Sequence, residues 1–554
     1  MAEEHSLLSS SASATRGSVL QRGKACIRCR RRKMKCDGVR PLCTPCIDAN
    51  RADDCEYTDN QSITRTQLLE ENVAILESRL QELEGRPGSR QSLTLHDPYA
   101  AYRPSTGRRT DSQASPSQSP SVPPTQEGWW KDPEPPSQIS EMLISIFLPN
   151  SRALGFALDV DRFRERTSLP RSHIERPHPA LLDTVYLWGL RLSSRMELRQ
   201  HEDARLQLAI LALQGSSLNQ SEHAAHHRVE AVQAEVLIAL YFLCLGHNFE
   251  ARYHANAAVA LAFSCSLHQV KELNEYPTAL SLPPPSDDKE RAERIRVFWS
   301  VYELDSCWSA ELESPRSFSD NPTRGTQIDT PWMDVPVTET LGQTVQRFLS
   351  SQYLMLGDDG SYLAYRSKAS AIYGKAWSLA AQTDSVTRIE EEVRTLGHIT
   401  AEFARRLPAL DELDASGDDV RLNMAVTHSI TASNGFLTHA DEIVSILEFT
   451  SRICFTGSDA TQRKFPDPFL AVCGWIAGRV LIEEIDHSMR GPRTHEIRSK
   501  GRKSLLNLGR LLNELHTCAG FADALPIFSQ RANMIEDELQ RDTLREKIQE
   551  MVEN

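Results

Sequence analysis

The sequence predicts a mainly all-α chain: a small metal-stapled cysteine module, a short coiled-coil helix, a disordered linker and one large all-helical domain. Three observations carry this expectation. Six of the 12 cysteines fall within 30 residues, Cys26 to Cys55, of a chain of 554. A Ser/Pro/Gln-rich stretch without apolar periodicity separates that cluster from the bulk of the chain. Beyond Ile139, apolar residues recur at helical spacing and few runs alternate as strands do. The segments expected are a disordered start at 1–21, the cysteine module at 22–58 and a linker at 59–65. A dimerisation helix at 66–84, a tether at 85–137 and the helical domain at 138–554 complete the chain.

The net charge of −13 argues against a protein that wraps nucleic acid over its whole surface. The average hides a local reversal. From Arg22 to Arg40 nine lysines and arginines face one acid, Asp37, so any contact with a phosphate backbone is confined to this patch. Met1 to Thr15 lacks the basic start and apolar core of a secretory leader, and none is expected. The best apolar runs, Leu237–Leu245 and Ala257–Leu267, are too short to cross a bilayer, and no membrane is expected as a partner. Cys244, Cys265, Cys307, Cys454, Cys473 and Cys518 are scattered in apolar surroundings and read as buried thiols of a reducing compartment.

The cluster runs C-x2-C-x6-C-x6-C-x2-C-x8-C through Cys26, Cys29, Cys36, Cys43, Cys46 and Cys55. Thiolates two residues apart reach around one ion, and zinc takes four such ligands in a tetrahedron. Six are too many for one site and too few for two separate sites, so two Zn2+ ions sharing two thiolates fit best. The first cysteine of each half, Cys26 and Cys43, is the natural bridge. Disulfides fit poorly without a leader and leave the basic run without a role. Iron–sulfur ligation is disfavoured by the same run and by the two-fold arrangement of C-x2-C pairs. A module this small has almost no apolar core, so the metal supplies most of its folding energy. A helix is expected from Arg28 through Lys35, with a loop at Gly38 and Pro41 and Met34 over the small interior. Arg32 and Lys33 are candidates for base edges, where Arg and Lys donate to guanine O6 and N7. Arg28, Arg30, Arg31 and Lys35 are assigned to phosphates. A nuclear import signal is the alternative use of the run, and the two uses are compatible.

Read as C-x2-C-R-R-R-K-x-K-C-D-x-x-x-P-x-C-x2-C-x8-C, the segment resembles the fungal Zn(2)-Cys(6) binuclear cluster (Zn2Cys6) DNA-binding domain. The resemblance implies that Cys26 and Cys43 bridge the two metals, that Arg32 and Lys33 approach CGG-like triplets, and that Pro41 is the loop proline. It covers this module alone and leaves the target genes unspecified.

After the linker, Leu69, Leu76 and Leu83 fit heptad position d, with Thr66, Val73 and Leu80 at a. Val at a and Leu at d suit a parallel pair of helices, and a homodimer is expected. A helix packed on its own chain is the competing reading of so few heptads. Along the tether, Ser112 to Pro120 and the prolines Pro123, Pro124, Pro133, Pro135 and Pro136 mark disorder. Trp129 and Trp130 are expected to dock on the large domain rather than on a coactivator.

In that domain, Phe298, Trp299 and Tyr302 are expected to form a buried aromatic face, with Arg294 or Arg296 paired to Asp305. The last helix is expected from about Pro526 to Val552. Gly246-x6-Tyr253-His254-x2-Ala257-Ala258 and Glu293 to Asp305 resemble the helical regulatory domain that follows this cluster in fungal transcription factors. The chain departs from that pattern at Ser306 and Glu313, where arginine and glycine are common. The resemblance implies a domain that restrains activity or answers a metabolite. His223, His226 and His227 lack a convincing carboxylate for a metal site, and His247 and His254 read as satisfied or surface histidines. No catalytic motif is present, and no enzyme is expected.

The function expected is a nuclear, zinc-dependent regulator of RNA polymerase II transcription that binds double-stranded DNA as a dimer. A coactivator or corepressor is its further partner. The competing classes are a metabolite-binding or enzymatic helical module with an accessory cluster, and a protein-recruiting scaffold.

Overall fold

The computed structural model describes residues 24–40, 42–49, 55 and 57 of an N-terminal unit. In a second unit it describes 128–215, 225–270, 282–312, 314–318, 320, 325–333, 343–350, 362–381, 386–413, 416–434, 439–455, 464–490, 494–520 and 524–540. The chain divides into these two compact units near Asp97. Among the described residues there are helices and no strand, and no helix is long and apolar enough to cross a membrane. The candidate dimer positions Thr66, Leu69, Val73, Leu76, Leu80 and Leu83 lie outside the described residues.

The first unit holds α1 (Ile27–Arg31) and α2 (Thr44–Asp48). The second runs α3 (Ser137–Phe147), α4 (Val160–Thr167), α5 (Pro179–Leu192), α6 (Met196–Arg199), α7 (Glu202–Gly215), α8 (Ala225–Leu245) and α9 (Asn248–Ser264). It continues with α10 (Asp288–Glu311), α11 (Thr344–Phe348), α12 (Tyr362–Ala380), α13 (Val386–Arg406) and α14 (Asp418–Ala432). It ends with α15 (Ala440–Phe455), α16 (Phe469–Arg490), α17 (His495–Gly520) and α18 (Ile527–Leu539).

The boundaries follow from local chemistry. Asp159 caps α4 by accepting from the Arg162 N–H at 2.9 Å, and Asp287 caps α10 by accepting from the Glu290 N–H at 2.6 Å. Pro179 opens α5, where its missing N–H has no partner to lose. Between α8 and α9 the chain reverses at Gly246, whose φ of 76° suits a residue without Cβ. There the His247 N–H reaches back to the Phe242 carbonyl at 2.9 Å, closing the end of α8.

From Val229 to Cys244, α8 is buried on every side, the signature of a central helix rather than a surface one. It packs against α5, α9 and α10 in the first half of the unit, while α12 and α14–α18 form the second half. The halves are joined where α10 meets α12 and where α18 meets α8. Phe298, Trp299 and Tyr302 are buried as expected, and the Trp299 indole donates to the Pro331 carbonyl at 2.8 Å. The six cysteines outside the cluster are buried free thiols.

Several expectations change in three dimensions. Arg294 pairs with Glu290 one turn back on α10, and Arg296 donates through Nε to the Ala157 carbonyl at 2.8 Å. Asp305 instead accepts from the Ser317 and Phe318 N–H groups at 2.9 and 3.0 Å, with Arg316 at 3.8 Å. It therefore ties down the loop after α10, a long-range partner that helix spacing does not reveal. The last described helix stops at Leu539. Trp129–Lys131 forms a helical turn packed on α7, ahead of the boundary at 138. Trp129 is buried and Trp130 stacks on His201 with centroids 3.8 Å apart, so the pair docks as expected.

His254 is a satisfied core histidine, bonded through Nδ1 to Glu235 of α8, and His247 stacks on Phe242. Burial pushes the Glu235 carboxyl up to about 8 and His254 down to about 3. A neutral acid donating to a neutral imidazole joins the two without burying a charge. Stability from the raised carboxyl is lost as pH climbs from the ordinary 4.5 through 8. The depressed histidine acts oppositely, only below its ordinary 6.5. Between pH 6.5 and 8 the Glu235 carboxyl acts without His254 opposing it, and its share of the decline is on the order of 2 kcal/mol. Glu235→Gln, which keeps a donor without the titration, should flatten that decline in urea midpoints. Parallel declines in both proteins would remove Glu235 as the cause.

Candidate metal centre and nucleic-acid interface

The two halves of the N-terminal unit are built alike. Cys26 is the N-cap of α1 and its sulfur accepts from the Cys29 N–H at 3.4 Å; Cys43 is the N-cap of α2, with Pro45 in the first turn. A C-x2-C pair on such a start puts one sulfur at the helix mouth and the next one turn inside. The four paired cysteines thereby meet: Cys26, Cys29, Cys43 and Cys46 are buried with their sulfurs mutually within 4.8 Å.

The spacing of the sulfurs tests the metal. Cys43 lies 3.7 Å from Cys26, 3.7 Å from Cys29 and 3.6 Å from Cys55, while Cys46 lies 3.8 Å from Cys26 and 3.9 Å from Cys29. A zinc tetrahedron with bonds of about 2.3 Å has edges of about 3.8 Å. A disulfide needs about 2.05 Å, and all six cysteines are free thiols. The residues fit zinc. Cys36 stands at the rim, half-buried, its sulfur 3.7 Å from the Tyr57 hydroxyl and grouped with Asp37 and Cys43.

Electrostatics say the same. Burial, with hydrogen bonds among the thiols, pushes Cys29 up to about 12 and drives Cys43 higher still. Burial also raises Cys36 and Cys46, but hydrogen bonds outweigh it and bring both to about 7; for Cys46 the largest of these comes from Arg28. Thiols packed this closely cannot all ionise unless cations sit among them. Among the described residues of the unit the buried core is Cys26, Cys29, Cys43, Cys46 and Cys55, with Leu42, Cys36 and Tyr57 packed against it. Among the described residues no aliphatic core stands in for a metal.

The basic residues divide by position. Arg30, Arg31, Arg32, Lys33 and Lys35 are exposed, whereas Arg28 is half-buried beside Cys46. The helix expected to reach Lys35 ends at Arg31. Arg32 is its C-cap and Lys33 takes the left-handed conformation, φ 55°, while the Met34 N–H closes onto the Cys29 carbonyl at 2.9 Å. The turn is needed because Cys36 must come back toward the cluster. It leaves Met34 43% exposed instead of over the interior. Arg32 and Lys33 thus stand together just beyond a helix end, and the half-buried Arg28 bonds the Cys46 thiol.

Two residues were missed in the sequence. Asp37 accepts from the Thr44 N–H at 3.0 Å and the Val39 N–H at 3.3 Å, so it fastens the loop to the start of α2. Tyr57 donates to the Val39 carbonyl at 2.9 Å beneath the Arg40 guanidinium. An acid directly after the third cysteine was the one available signal. Asp37→Ala is expected to cost about 1 kcal/mol, as loss of a helix cap does. Competition with a chelator should therefore strip the variant several-fold sooner, and equal metal retention would remove Asp37 from this role.

The reading of His226 and His227 is also corrected, while His223 lies outside the described residues. Glu230 does follow His226 and His227 at helical spacing, and the three sit within 4.8 Å. Its carboxylate, however, pairs with Arg166 at 2.8 Å and accepts from the His178 N–H at 2.7 Å. That carboxylate is thus already committed to a guanidinium and a backbone N–H.

Residues 24–63 match the model of the fungal Zn(2)-Cys(6) binuclear cluster domain, and residues 136–334 match that of the fungal specific transcription factor domain. Both describe regulatory rather than catalytic domains. The six-cysteine cluster matches the Zn2Cys6 zinc-binding arrangement. The citrinin biosynthesis transcriptional activator mrl3 of Monascus ruber is 26% identical over 339 residues, spanning 54% of this chain and 62% of its own. The corresponding activator ctnR of Monascus purpureus is also 26% identical, over 54% of each chain. The transcriptional activator protein acu-15 of Neurospora crassa is 42% identical over 65 residues, 11% of this chain and 7% of its own. The chain thus spans between half and two thirds of the length of the two longer matches. No solved structure matches.

Proposed function

We propose that this chain, which carries a fungal Zn(2)-Cys(6) binuclear cluster domain followed by a fungal specific transcription factor domain, is a nuclear, zinc-dependent regulator of RNA polymerase II transcription that binds DNA in a sequence-specific way. One observation carries the reading. Buried sulfurs at zinc-tetrahedral spacing support an exposed cationic turn, Arg30 to Lys35, and form the buried core among the described residues of the unit. Cys26, Cys29, Cys36, Cys43, Cys46 and Cys55 hold two zinc ions, with Cys26 and Cys43 shared. Arg32 and Lys33, side by side past the end of α1, read base edges of a CGG-like triplet. Arg30, Arg31 and Lys35 hold phosphates, and Arg28 steadies the Cys46 thiolate.

One such module is too small to select a site alone, so the chain acts as a dimer through Thr66, Leu69, Val73, Leu76, Leu80 and Leu83. The acidic remainder keeps nonspecific contact with DNA low. The names of the relatives support a role in activation; the pathway is not carried over from them.

Selection of bound sequences from a random duplex pool by the full-length protein tests the proposal. Enrichment of paired CGG-like triplets, with binding that falls steeply as salt rises, is the expected result. A pool that stays random would reject sequence reading, and enrichment of single triplets would reject the dimer. Lys33→Ala should lower affinity for the selected duplex by about 1–3 kcal/mol and for random duplex far less. Equal losses on both duplexes would move Lys33 to the phosphate-binding group.

A further inference from the structure

The six clustered cysteines are not equally covered. Cys26, Cys29, Cys43, Cys46 and Cys55 are buried, whereas Cys36 is half-buried at the rim. A chelator or an electrophile reaches a thiolate only from solvent, and thiol reactivity follows exposure. Attack on the cluster therefore starts at Cys36, and whatever covers this sulfur decides how fast the metals leave.

The cover is Tyr57. It follows Cys55 by two residues, and the Cys55 sulfur lies 3.6 Å from Cys43, so its backbone is anchored in the second half of the cluster. Its ring packs against the cysteine core, with the Arg40 guanidinium 4.8 Å from the ring centre. Its hydroxyl oxygen stands 3.7 Å from the Cys36 sulfur, which belongs to the first half. A phenol has one proton, and here it goes to the Val39 carbonyl at 2.9 Å. That carbonyl is held in turn. Gly38 turns the loop with a φ of 74°, and Asp37 fastens it to α2 by accepting from the Thr44 N–H at 3.0 Å. Tyr57 thus lies across Cys36, tethered at its tip to the loop that carries this cysteine.

We propose that Tyr57 is a latch over Cys36, a positioning residue whose bond to Val39 must open before a chelator or a thiol-reactive compound reaches that sulfur. The latch rests on the two-zinc reading of the cluster. On that reading the unit keeps its fold through the metals, so Tyr57 sets how long the DNA-reading surface survives in competition for zinc. Opening it breaks one hydrogen bond of ordinary strength, which corresponds to about a fivefold change in rate.

The test uses the full-length, zinc-loaded protein. Elemental analysis giving about two ions per chain upholds the underlying reading; a parent chain that holds fewer overturns that reading and the latch together. Short pulses of iodoacetamide, in which a thiolate displaces iodide to form a carbon–sulfur bond, are then read cysteine by cysteine by mass spectrometry. In the parent, Cys36 is expected to react first of the six. Tyr57→Phe keeps the ring and loses the bond to Val39. It should raise the initial rate at Cys36 about fivefold while the initial rates at the other five stay as in the parent. Transfer of the first zinc to 4-(2-pyridylazo)resorcinol should quicken by the same factor, and Tyr57→Ala, which removes the ring as well, should be faster still. Two ions in the parent with Cys36 no quicker to react than its neighbours would overturn the latch alone. Equal acceleration at all six cysteines, or loss of the ions from Tyr57→Phe, would make Tyr57 a structural residue and do the same. An unchanged Cys36 rate in Tyr57→Phe would leave the hydroxyl without this role.

Discussion

Cys43→Ser is expected to unfold the N-terminal unit and abolish site-specific DNA binding. Its sulfur is the hub of the cluster, 3.6–3.7 Å from Cys26, Cys29 and Cys55 and grouped with Cys36 and Cys46 as well. On the proposed shared assignment, a serine there withdraws a ligand from both metal positions. Structural zinc supplies about 10–16 kcal/mol in small domains, and among the described residues the buried core of this unit is made of cysteines, with little apolar burial to compensate. Elemental analysis should fall from about two zinc ions per chain toward zero, and the selected duplex should no longer be bound above random DNA. Cys55→Ser is the graded comparison, since Cys55 sits against Cys43 at one end of the cluster. Retention of two ions by Cys43→Ser, or identical behaviour of the two variants, would defeat the shared-ligand assignment.

Arg205→Met is expected to produce the largest loss in the helical unit, about 3–5 kcal/mol. Arg205 is fully buried; its guanidinium donates to Asp183 at 2.9 Å and to the Trp129 carbonyl at 2.5 Å. Burial pushes the Asp183 carboxyl up to about 7 even though Arg205 pulls it down. Removing the arginine strands that carboxyl in the core and frees the carbonyl that holds the docked tryptophan turn. Urea unfolding should show the loss, and trypsin should cut sooner after Lys131. The double variant Arg205→Met, Asp183→Leu should recover most of the stability but not the protection at Lys131. A double variant no more stable than the single one, or unchanged cleavage, would show that Arg205 does not couple the turn to the core.

The site was legible in the sequence to the extent that its chemistry is local. The ligand residues and their spacing lie within thirty positions, and a C-x2-C pair at a helix start needs no distant partner to bring two sulfurs together. The bond from Arg28 to Cys46 was not legible, because the place of Cys46 is fixed from the other half of the module. Met34 and the length of α1 were misjudged because helical propensity does not record that the chain must turn back at Lys33.

By itself the sequence determined what depends on spacing along the chain: the paired thiols, the cationic run beside them and the helical period of the large unit. Periodicity of apolar residues is enough for that last property, since each helix closes its own backbone hydrogen bonds. Tertiary structure alone decided the pairings over long distances. Asp305 serves a loop rather than the arginines of its own helix, Arg205 grips a turn 76 residues earlier, and Glu230 belongs to Arg166. It also decided that Arg296, Ser300 and Glu303 face an unfilled space. Buried charge must find a partner wherever packing brings one within reach, and that choice is made among helices rather than along them.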